Sequence, residues 1–306
     1  MRKIERYFFF PSPMQKFLAF ALLPISLLYC MVATLKRKIS RHYDFGIPII
    51  SVGNLVLGGS GKSPFVMEIT RDYPNACVIL RGYGRKSKGL KVVSVLGAIQ
   101  ENVTNAGEEA IMLARALNNA SVIVSENRKS GILKAKELGA QVVFLDDGFR
   151  FNFKKLNILL KPKLEPYFNF CIPSGGYREH KSAYKDADIV AVEGVDYVRE
   201  VEVLDKTPKM LLLTAIANPS RLEAYLPNVV GKITLKDHAF FDKENILKAY
   251  AEFGATSLLV TQKDAPKLDD IGIPLSVLRL QLTINPAIKT RIKEYIASYT
   301  ASRNKQ

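Results

Sequence analysis

A glycine-rich turn within PIISVGNLVLGGSGKSP, residues 48–64, is the first candidate for a functional site. The turn ends in Gly61-Lys62-Ser63, the closing half of the phosphate-binding pattern G-x-x-x-x-G-K-[ST], although Val56 stands where that pattern has its first glycine. Unshielded backbone N–H groups and the following helix N-terminus bind phosphate in such turns, the lysine reaches the terminal phosphates, and the hydroxyl contacts Mg²⁺. Either an ATP site or an ordinary strand-to-helix turn is consistent with this stretch. The candidate nucleotide-binding residues are Gly58, Gly59, Ser60, Gly61, Lys62 and Ser63.

A pair of acids provides a second, independent signal for nucleotide chemistry. The apolar run QVVFL ends in Asp146 and Asp147, at the place where a P-loop enzyme holds its magnesium ion. Two acids after a strand also suit a plain turn or a helix N-cap. In combination with the glycine-rich turn, the acid pair predicts Mg-ATP binding, with Ser63, Asp146 and Asp147 as the metal-binding residues.

Further candidates follow other predicted strands. The loop RGYGRKSKG, residues 81–89, holds four basic residues and three glycines without an acid, a composition suited to binding phosphate or to a solvated turn. Its position at the carboxyl end of a strand favours ligand binding, as does that of IPSGGYRE, residues 172–179. His238 is a candidate acid or base, or a structural histidine. Glu108 and Glu109 are its candidate partners, or they complement a helix dipole.

Short apolar runs alternate with helical stretches over residues 43–197, a pattern typical of a doubly wound, mostly parallel α/β sheet. The predicted strands are 48–52, 76–80, 91–95, 121–125, 141–145, 156–160 and 188–192, and the predicted helices are 63–71, 107–117, 130–138 and about 179–185. The polar stretch 198–209 is predicted to be a linker. Residues 210–306 are predicted to form a smaller α/β domain that closes over the active site.

The composition restricts the partners. The formal net charge of +15 indicates a phosphate-rich partner, which could be nucleic acid, an anionic membrane or an anionic substrate. Nucleic acid is disfavoured because no aromatic and basic platform for single strands is present. No obligatory protein partner is indicated. The three cysteines lack metal or disulfide spacing, so neither a disulfide framework nor a zinc site is expected, and a reducing cytosolic setting fits best.

Residues 1–42 differ from the rest of the chain, because their basic residues flank the uncharged, apolar segment Phe17–Leu35. At about 1.5 Å per residue, this segment could nearly cross a bilayer core of about 30 Å. Four interpretations compete: a cleaved signal peptide, a lipoprotein signal ending at Cys30, a buried core helix, and a membrane-associating helix. The last is preferred, with shallow insertion because of Pro24 and the basic ends. The basic residues are Arg2, Lys3, Arg6, Lys16, Lys36, Arg37, Lys38 and Arg41.

Taken together, these motifs resemble the tetraacyldisaccharide 4'-kinase (lipid A 4'-kinase) family. The matching stretches are GNLVLGGSGKSP, RGYGRK, AGEEA, DDGF, IPSGGYRE, NPSR, KDHAFF and TQKDAPKL, in the family's order. The resemblance implies transfer of the γ-phosphate of ATP to the 4'-hydroxyl of a lipid A disaccharide 1-phosphate, at the inner face of the bacterial inner membrane. It also implies that Lys62, Glu108 and His238 are catalytic. Further active-site positions implied by the resemblance are Arg81, Tyr83, Arg85, Arg128, Arg178 and Glu179.

The chain departs from the family pattern at several positions. Glu108 replaces the catalytic Asp of a G-D-E-P motif, and its carboxylate stands one methylene further from the backbone. Arg150 and Phe151 replace a usual Gln-His pair, and Leu80 replaces a common Ser. Arg150 is a candidate for charge stabilisation at the active site.

Overall fold

The computed structural model describes residues 3–39, 42–58, 61–216, 219–236, 239 and 241–303. Its larger sheet has eight strands in the order β4-β3-β5-β2-β6-β1-β7-β8. The strands are β1 Ile49–Asn54, β2 Ala76–Leu80, β3 Lys91–Val95, β4 Ala98–Ile99, β5 Ser121–Val124, β6 Val142–Asp146, β7 Leu156–Lys161 and β8 Ile189–Val192. Strands β5, β2, β6, β1, β7 and β8 pair in parallel, while β3 and β4 form an antiparallel edge. The predicted doubly wound, mostly parallel sheet is confirmed.

Helices cover both faces of this sheet, which explains why its central strands read as continuous apolar runs. Helices α4, α6 and α9 pack on the face that carries Ile50 and Val52, whereas α7 packs on the face that carries Ile49. The α-helices are α1 Lys3–Phe9, α2 Pro13–Ala21, α3 Leu23–Ile39, α4 Lys62–Thr70, α5 Val103–Ala106, α6 Glu108–Ala116, α7 Arg128–Glu137, α8 Lys243–Glu252 and α9 Pro286–Arg303. Short 3-10 helices occupy Lys181–Asp186, Pro219–Tyr225 and Ala265–Lys267.

The smaller sheet has five strands in the order β11-β10-β12-β13-β9. They are β9 Tyr197–Leu204, β10 Met210–Thr214, β11 Val229–Thr234, β12 Ser257–Thr261 and β13 Leu275–Ile284. The prediction of a linker over 198–209 was wrong, because most of β9 lies within it and pairs antiparallel with β13. Its charged residues alternate with apolar ones, which is the pattern of an edge strand with one solvated face.

The C-terminal helix does not stay with the smaller sheet. Ile288 and Ile292 of α9 are buried in the core of the larger sheet, together with Leu282 and Ile284 from the end of β13. The chain therefore returns to its first core, and the two sheets share a packed junction along α4, which contacts β13.

The N-terminal segment was predicted to be one helix and contains three. Ser12 and Gln15 form a capping box at the start of α2, and Pro24 lies in the first turn of α3, where its missing N–H costs nothing. Among the described residues, no single helix has the length and apolar character to cross a bilayer. Helices α2 and α3 together meet both criteria, with a bend of 57° between them.

Helix α3 is tied to the larger domain by one face. Ser26 is buried and donates a hydrogen bond to Ser174 Oγ at 2.7 Å. The structure also joins Cys30 of α3 to Cys171 in a disulfide, contrary to the expectation of none. The two cysteines are 141 residues apart in sequence, so their spacing carried no signal. The opposite face of α3 exposes large apolar side chains, namely Leu27, Leu28, Met31, Val32 and Leu35.

Candidate active site

The glycine-rich turn lies between β1 and α4, as predicted. Gly61 caps α4 in the left-handed conformation with φ 76°, which glycine adopts without strain. Lys62 begins the helix, and its Nζ donates to Asn54 Oδ1 at the end of β1, at 3.0 Å. Gly59 and Ser60 lie outside the described residues, whereas Gly58 is described and has φ 108°.

Val56 has a packing role that explains its departure from the phosphate-binding pattern. Its side chain is buried in a cluster with Leu55, Phe149 and Tyr177, and its backbone bridges to Tyr177. A glycine at this position would remove that contact, so Val56 supports the entry to the turn.

Asp146 lies beside the turn because β6 pairs with β1. Ser63 Oγ donates to Asp146 Oδ2 at 3.2 Å. Burial raises the Asp146 pKa to about 7, although the Lys62 cation acts against this. The charge of Glu109 also raises it, which places the head of α6 near this carboxylate.

Asp147 adopts a left-handed backbone with φ 58° and receives both guanidinium nitrogens of Arg178, at 3.0 and 2.8 Å. Burial on its own would raise the Asp147 pKa, but Lys62 and Arg178 outweigh burial and lower it. The two neighbouring acids thus differ in character, since Asp147 is held ionised whereas Asp146 is about half protonated near pH 7.

Asp146 has the properties expected of a magnesium ligand. Its Oδ1 atom is buried and accepts no hydrogen bond from the described residues. Within the same part of the chain, no group of three or more His, Cys, Asp or Glu side chains could hold a metal. One or two carboxylates commonly suffice for Mg²⁺, which completes its shell with water and substrate phosphates.

Glu179 is buried between two arginines. Arg37 of α3 donates to Glu179 Oε2 at 2.9 Å, and Arg150 donates to Glu179 Oε1 at 3.0 Å. Arg150 also donates to the carbonyl oxygen of Arg178 at 2.6 Å. Arg150 therefore braces the loop that presents Arg178.

The basic loop 81–89 divides into exposed and engaged residues. Arg81 is exposed and Tyr83 is 72% exposed, whereas Arg85 bonds to Glu126 and to the Gly89 carbonyl, which fixes the loop's shape. Arg128 is buried at the start of α7 and donates to the Asp146 carbonyl at 3.1 Å. Burial lowers the Arg128 pKa, and the nearby Arg81 cation adds to this.

Phe151, which with Arg150 replaces the family's usual Gln-His pair, lies under Arg128. The Arg128 guanidinium carbon is 5.8 Å from the centre of the Phe151 ring. The aromatic ring thus supports the arginine that contacts the end of β6.

Glu108 begins α6 and is buried, with its carboxylate facing the smaller domain. Lys267 Nζ is 2.6 Å from Glu108 Oε1, and Lys263 Nζ is 3.6 Å from Oε2. His238, the predicted partner of Glu108, lies outside the described residues, as do Arg2 and Arg41 of the N-terminal prediction. The contact between Glu108 and the smaller domain is therefore made by two lysines in the described part of the chain.

Sequence reasoning missed several residues that contact this site. Asn54 directly precedes the glycine-rich turn, and Lys263 and Lys267 belong to TQKDAPKL, whose lysines had been given no role. Their positions at the carboxyl ends of β1 and β12 were the available signal.

Comparison with known proteins identifies the family. Residues 18–207 match the family described as tetraacyldisaccharide-1-P 4'-kinase. Tetraacyldisaccharide 4'-kinases of Helicobacter pylori strain 26695 and Aliarcobacter butzleri are 56% and 48% identical, and each alignment covers 97% of this chain and at least 95% of the relative.

A solved structure shares the fold. The crystal structure of the "apo" form of LpxK from Aquifex aeolicus in complex with ATP superimposes with a TM-score of 0.75 at 27% identity, covering 91% of this chain and 99% of that one. The chain belongs to the tetraacyldisaccharide-1-P 4'-kinase family.

Proposed function

We infer that this chain is an ATP-dependent kinase that phosphorylates the 4'-hydroxyl of a tetraacyldisaccharide 1-phosphate in lipid A biosynthesis. The main support is the sequence identity of 55–56% to enzymes of that name, over 97% of this chain. The site agrees with it, because a Gly-Lys-Ser turn, an acid pair of which Asp146 is buried, and the separate buried Glu108 would serve the phosphates, the cation and the acceptor hydroxyl.

The phosphate end of the site is formed by residues of the larger sheet. Gly58, Gly59, Ser60 and Gly61 would present backbone N–H groups, and Lys62 would exchange Asn54 for a terminal phosphate oxygen. Ser63, Asp146 and Asp147 would hold Mg²⁺, which when bound neutralises charge on the β- and γ-phosphates.

The remaining basic residues would orient the anionic groups. Arg81 and Tyr83 are exposed beside the site, and Arg128 and Arg178 stand next to the acid pair. Arg85 and Glu179 would act by fixing loops, since both are engaged in ion pairs.

Glu108 is proposed as the general base. Its carboxylate would accept the proton of the 4'-hydroxyl while the hydroxyl oxygen bonds to the γ-phosphorus and the bond from phosphorus to the ADP oxygen breaks. His238, from the smaller domain, would tune the proton affinity of Glu108. Closure between the sheets would exclude water and limit ATP hydrolysis.

The N-terminal helices are proposed to contact the cytoplasmic face of the inner membrane. The exposed apolar face of α3 and the flanking basic residues, including Lys36 and Lys38, suit an anionic lipid surface. The acyl chains of the acceptor would remain near that surface while its sugar reaches Glu108.

Acceptor dependence of ATP consumption tests the assignment. Purified enzyme with Mg-ATP is expected to release ADP at a negligible rate alone and at a much higher rate with a tetraacyldisaccharide 1-phosphate acceptor. Glu108→Ala should remove most of the acceptor-dependent rate, by about 10²–10⁴-fold. Equal ADP release with and without acceptor would instead indicate a membrane-associated regulatory NTPase.

A further inference from the structure

An ion pair links the proposed base to a buried network in the smaller domain. Lys267 ends the 3-10 helix Ala265–Lys267, and its side chain is 6% exposed. Its Nζ lies 2.6 Å from Glu108 Oε1, 3.3 Å from Asp264 Oδ1 and 3.2 Å from the Ala239 carbonyl oxygen. Three acceptors thus use the three protons of one ammonium group.

The position of Lys267 is set by the interior of the smaller domain. Asp264 is fully buried, and its Oδ2 accepts hydrogen bonds from Thr214 Oγ1 at 2.9 Å, Thr261 Oγ1 at 2.9 Å and the Ala215 N–H at 3.2 Å. Thr214 and Thr261 end the adjacent strands β10 and β12. The ammonium is therefore fixed by the strand ends of one sheet while it contacts a carboxylate that packs on the other.

A buried charge without a partner of opposite sign strongly destabilises the folded state, because each ion has lost most of its water. The Glu108 side chain is 8% exposed, so a cation is needed if the carboxylate is to stay ionised. The side chain of Lys267 is buried almost to the same extent, whereas Lys263 is more exposed and more distant. Lys267 is thus the stronger partner of the two lysines.

We propose that Lys267 is a positioning residue that keeps the Glu108 carboxylate ionised and aimed, and that it couples the smaller domain to the reacting centre. The inference rests on the proposed role of Glu108 as base. It also accounts for the Glu at this position, since the side chain reaches a lysine anchored in the other domain.

Several other groups face Glu108 and enter any pH dependence. Lys263 approaches from the segment after β12, Tyr83 and Lys86 line the same small cavity from the 81–89 loop, and Glu109 follows on α6. His238 lies outside the described residues. Lys267→Met retains all of these groups, so a change in the titration of Glu108 can be assigned to the loss of the Lys267 ammonium.

The test is a direct titration of Glu108 in the full-length protein without substrate. Side-chain carboxyl carbons of glutamate are labelled with ¹³C, and the Glu108 signal is identified by its loss in Glu108→Gln. In the wild type, Glu108 is expected to stay ionised between about pH 5 and about pH 8. In Lys267→Met it should titrate within that range, an upward shift of about 1–2 pH units or more.

A matched control and a kinetic measurement separate positioning from general stability. Lys243 of α8 pairs with Asp270 on the surface of the same domain, so Lys243→Met should leave the Glu108 titration unchanged. In Lys267→Met, the acidic limb of the pH profile of kcat should move to higher pH by the same amount as the Glu108 titration.

The inference would be overturned by a wild-type Glu108 that titrates between about pH 5 and about pH 8, a result that does not depend on the Lys267→Met variant. It would also be overturned if Lys267→Met lost activity equally at all pH values with an unchanged Glu108 signal. Failure of the wild type to form 4'-phosphorylated product is a separate result. It would refute the proposed reaction, and the positioning role with it, while the titration alone still decides whether Lys267 sets the charge of Glu108.

Discussion

Replacing Asp146 by Asn should stabilise the ligand-free protein at pH 8 while abolishing most of its activity. Burial raises the Asp146 pKa from its ordinary value of 3.8 to about 7. A carboxyl with a raised folded-state pKa contributes stability below its unfolded value and loses it as the pH rises through the folded value. At pH 8 the wild type therefore carries an ionised, buried carboxylate that the variant lacks.

The magnitude follows from the pKa difference. At about 1.4 kcal/mol per pH unit, the difference between 3.8 and about 7 corresponds to an upper limit of about 4 kcal/mol. Water entering the site would reduce this, so a gain of about 2–4 kcal/mol is expected. Asn keeps an oxygen that can accept the hydrogen bond from Ser63, so the packing of the turn is retained.

The assay is thermal and urea unfolding of both proteins at several pH values between about pH 4 and about pH 8, without nucleotide or divalent cations. The melting temperature of the variant should exceed that of the wild type by several degrees at pH 8, and the gap should close toward pH 4. Asp270→Asn provides the control, because Asp270 is exposed and its pKa is lowered. An unchanged or lower melting temperature at pH 8, or a difference between the two proteins that does not vary with pH, would contradict a raised pKa of Asp146.

Three further predictions concern the phosphate turn, the loop that carries Arg178 and the N-terminal helices. Lys62→Ala should lower kcat by about 10²–10³-fold in the acceptor-dependent assay, with little change in melting temperature. If the variant kept the wild-type kcat, Lys62 would not be a phosphate-binding residue. Glu179→Gln leaves two arginines without their shared carboxylate, so it should lower the free energy of unfolding in urea by about 2–3 kcal/mol. The N-terminal segment should also be cleaved faster by proteases. An unchanged free energy of unfolding would contradict the bracing role of Glu179. The double variant Leu28→Ser with Met31→Ser should weaken co-sedimentation with anionic vesicles. Leu133→Ser, at a similarly exposed position on another helix, should not weaken it. Equal effects would contradict the proposal that the exposed face of α3 binds the membrane.

The central part of the fold was predictable because burial on both faces leaves a clear signature. Strand β2 begins and ends at the predicted residues, since it is a short apolar run bounded by polar or turn residues. Strand β9 was missed because an edge strand buries little and its charges alternate with apolar residues. The return of α9 to the first core had no local signature, because tertiary contacts decide where a helix packs.

The site was predictable where two sequence motifs mark the ends of neighbouring strands, the phosphate turn after one and the acid pair at the other. Lys62, Ser63 and Asp146 meet as expected because β1 and β6 are neighbours. The partners of Arg85, Arg150 and Glu108 come from distant parts of the chain, and sequence position gives no information about such pairings. For this reason the ion-pair partners of these charged residues could not be predicted from the sequence.

Formation of a 4'-phosphate is the most direct test of the proposed function. Purified enzyme is incubated with Mg-ATP labelled in the γ-phosphate and a tetraacyldisaccharide 1-phosphate, and the lipid product is examined by mass spectrometry and ³¹P NMR. We expect a product with one added labelled phosphate, bonded to the 4' oxygen, and no such product with Lys62→Ala. Labelled phosphate released only to water, or attached elsewhere on the lipid, would contradict the proposed function.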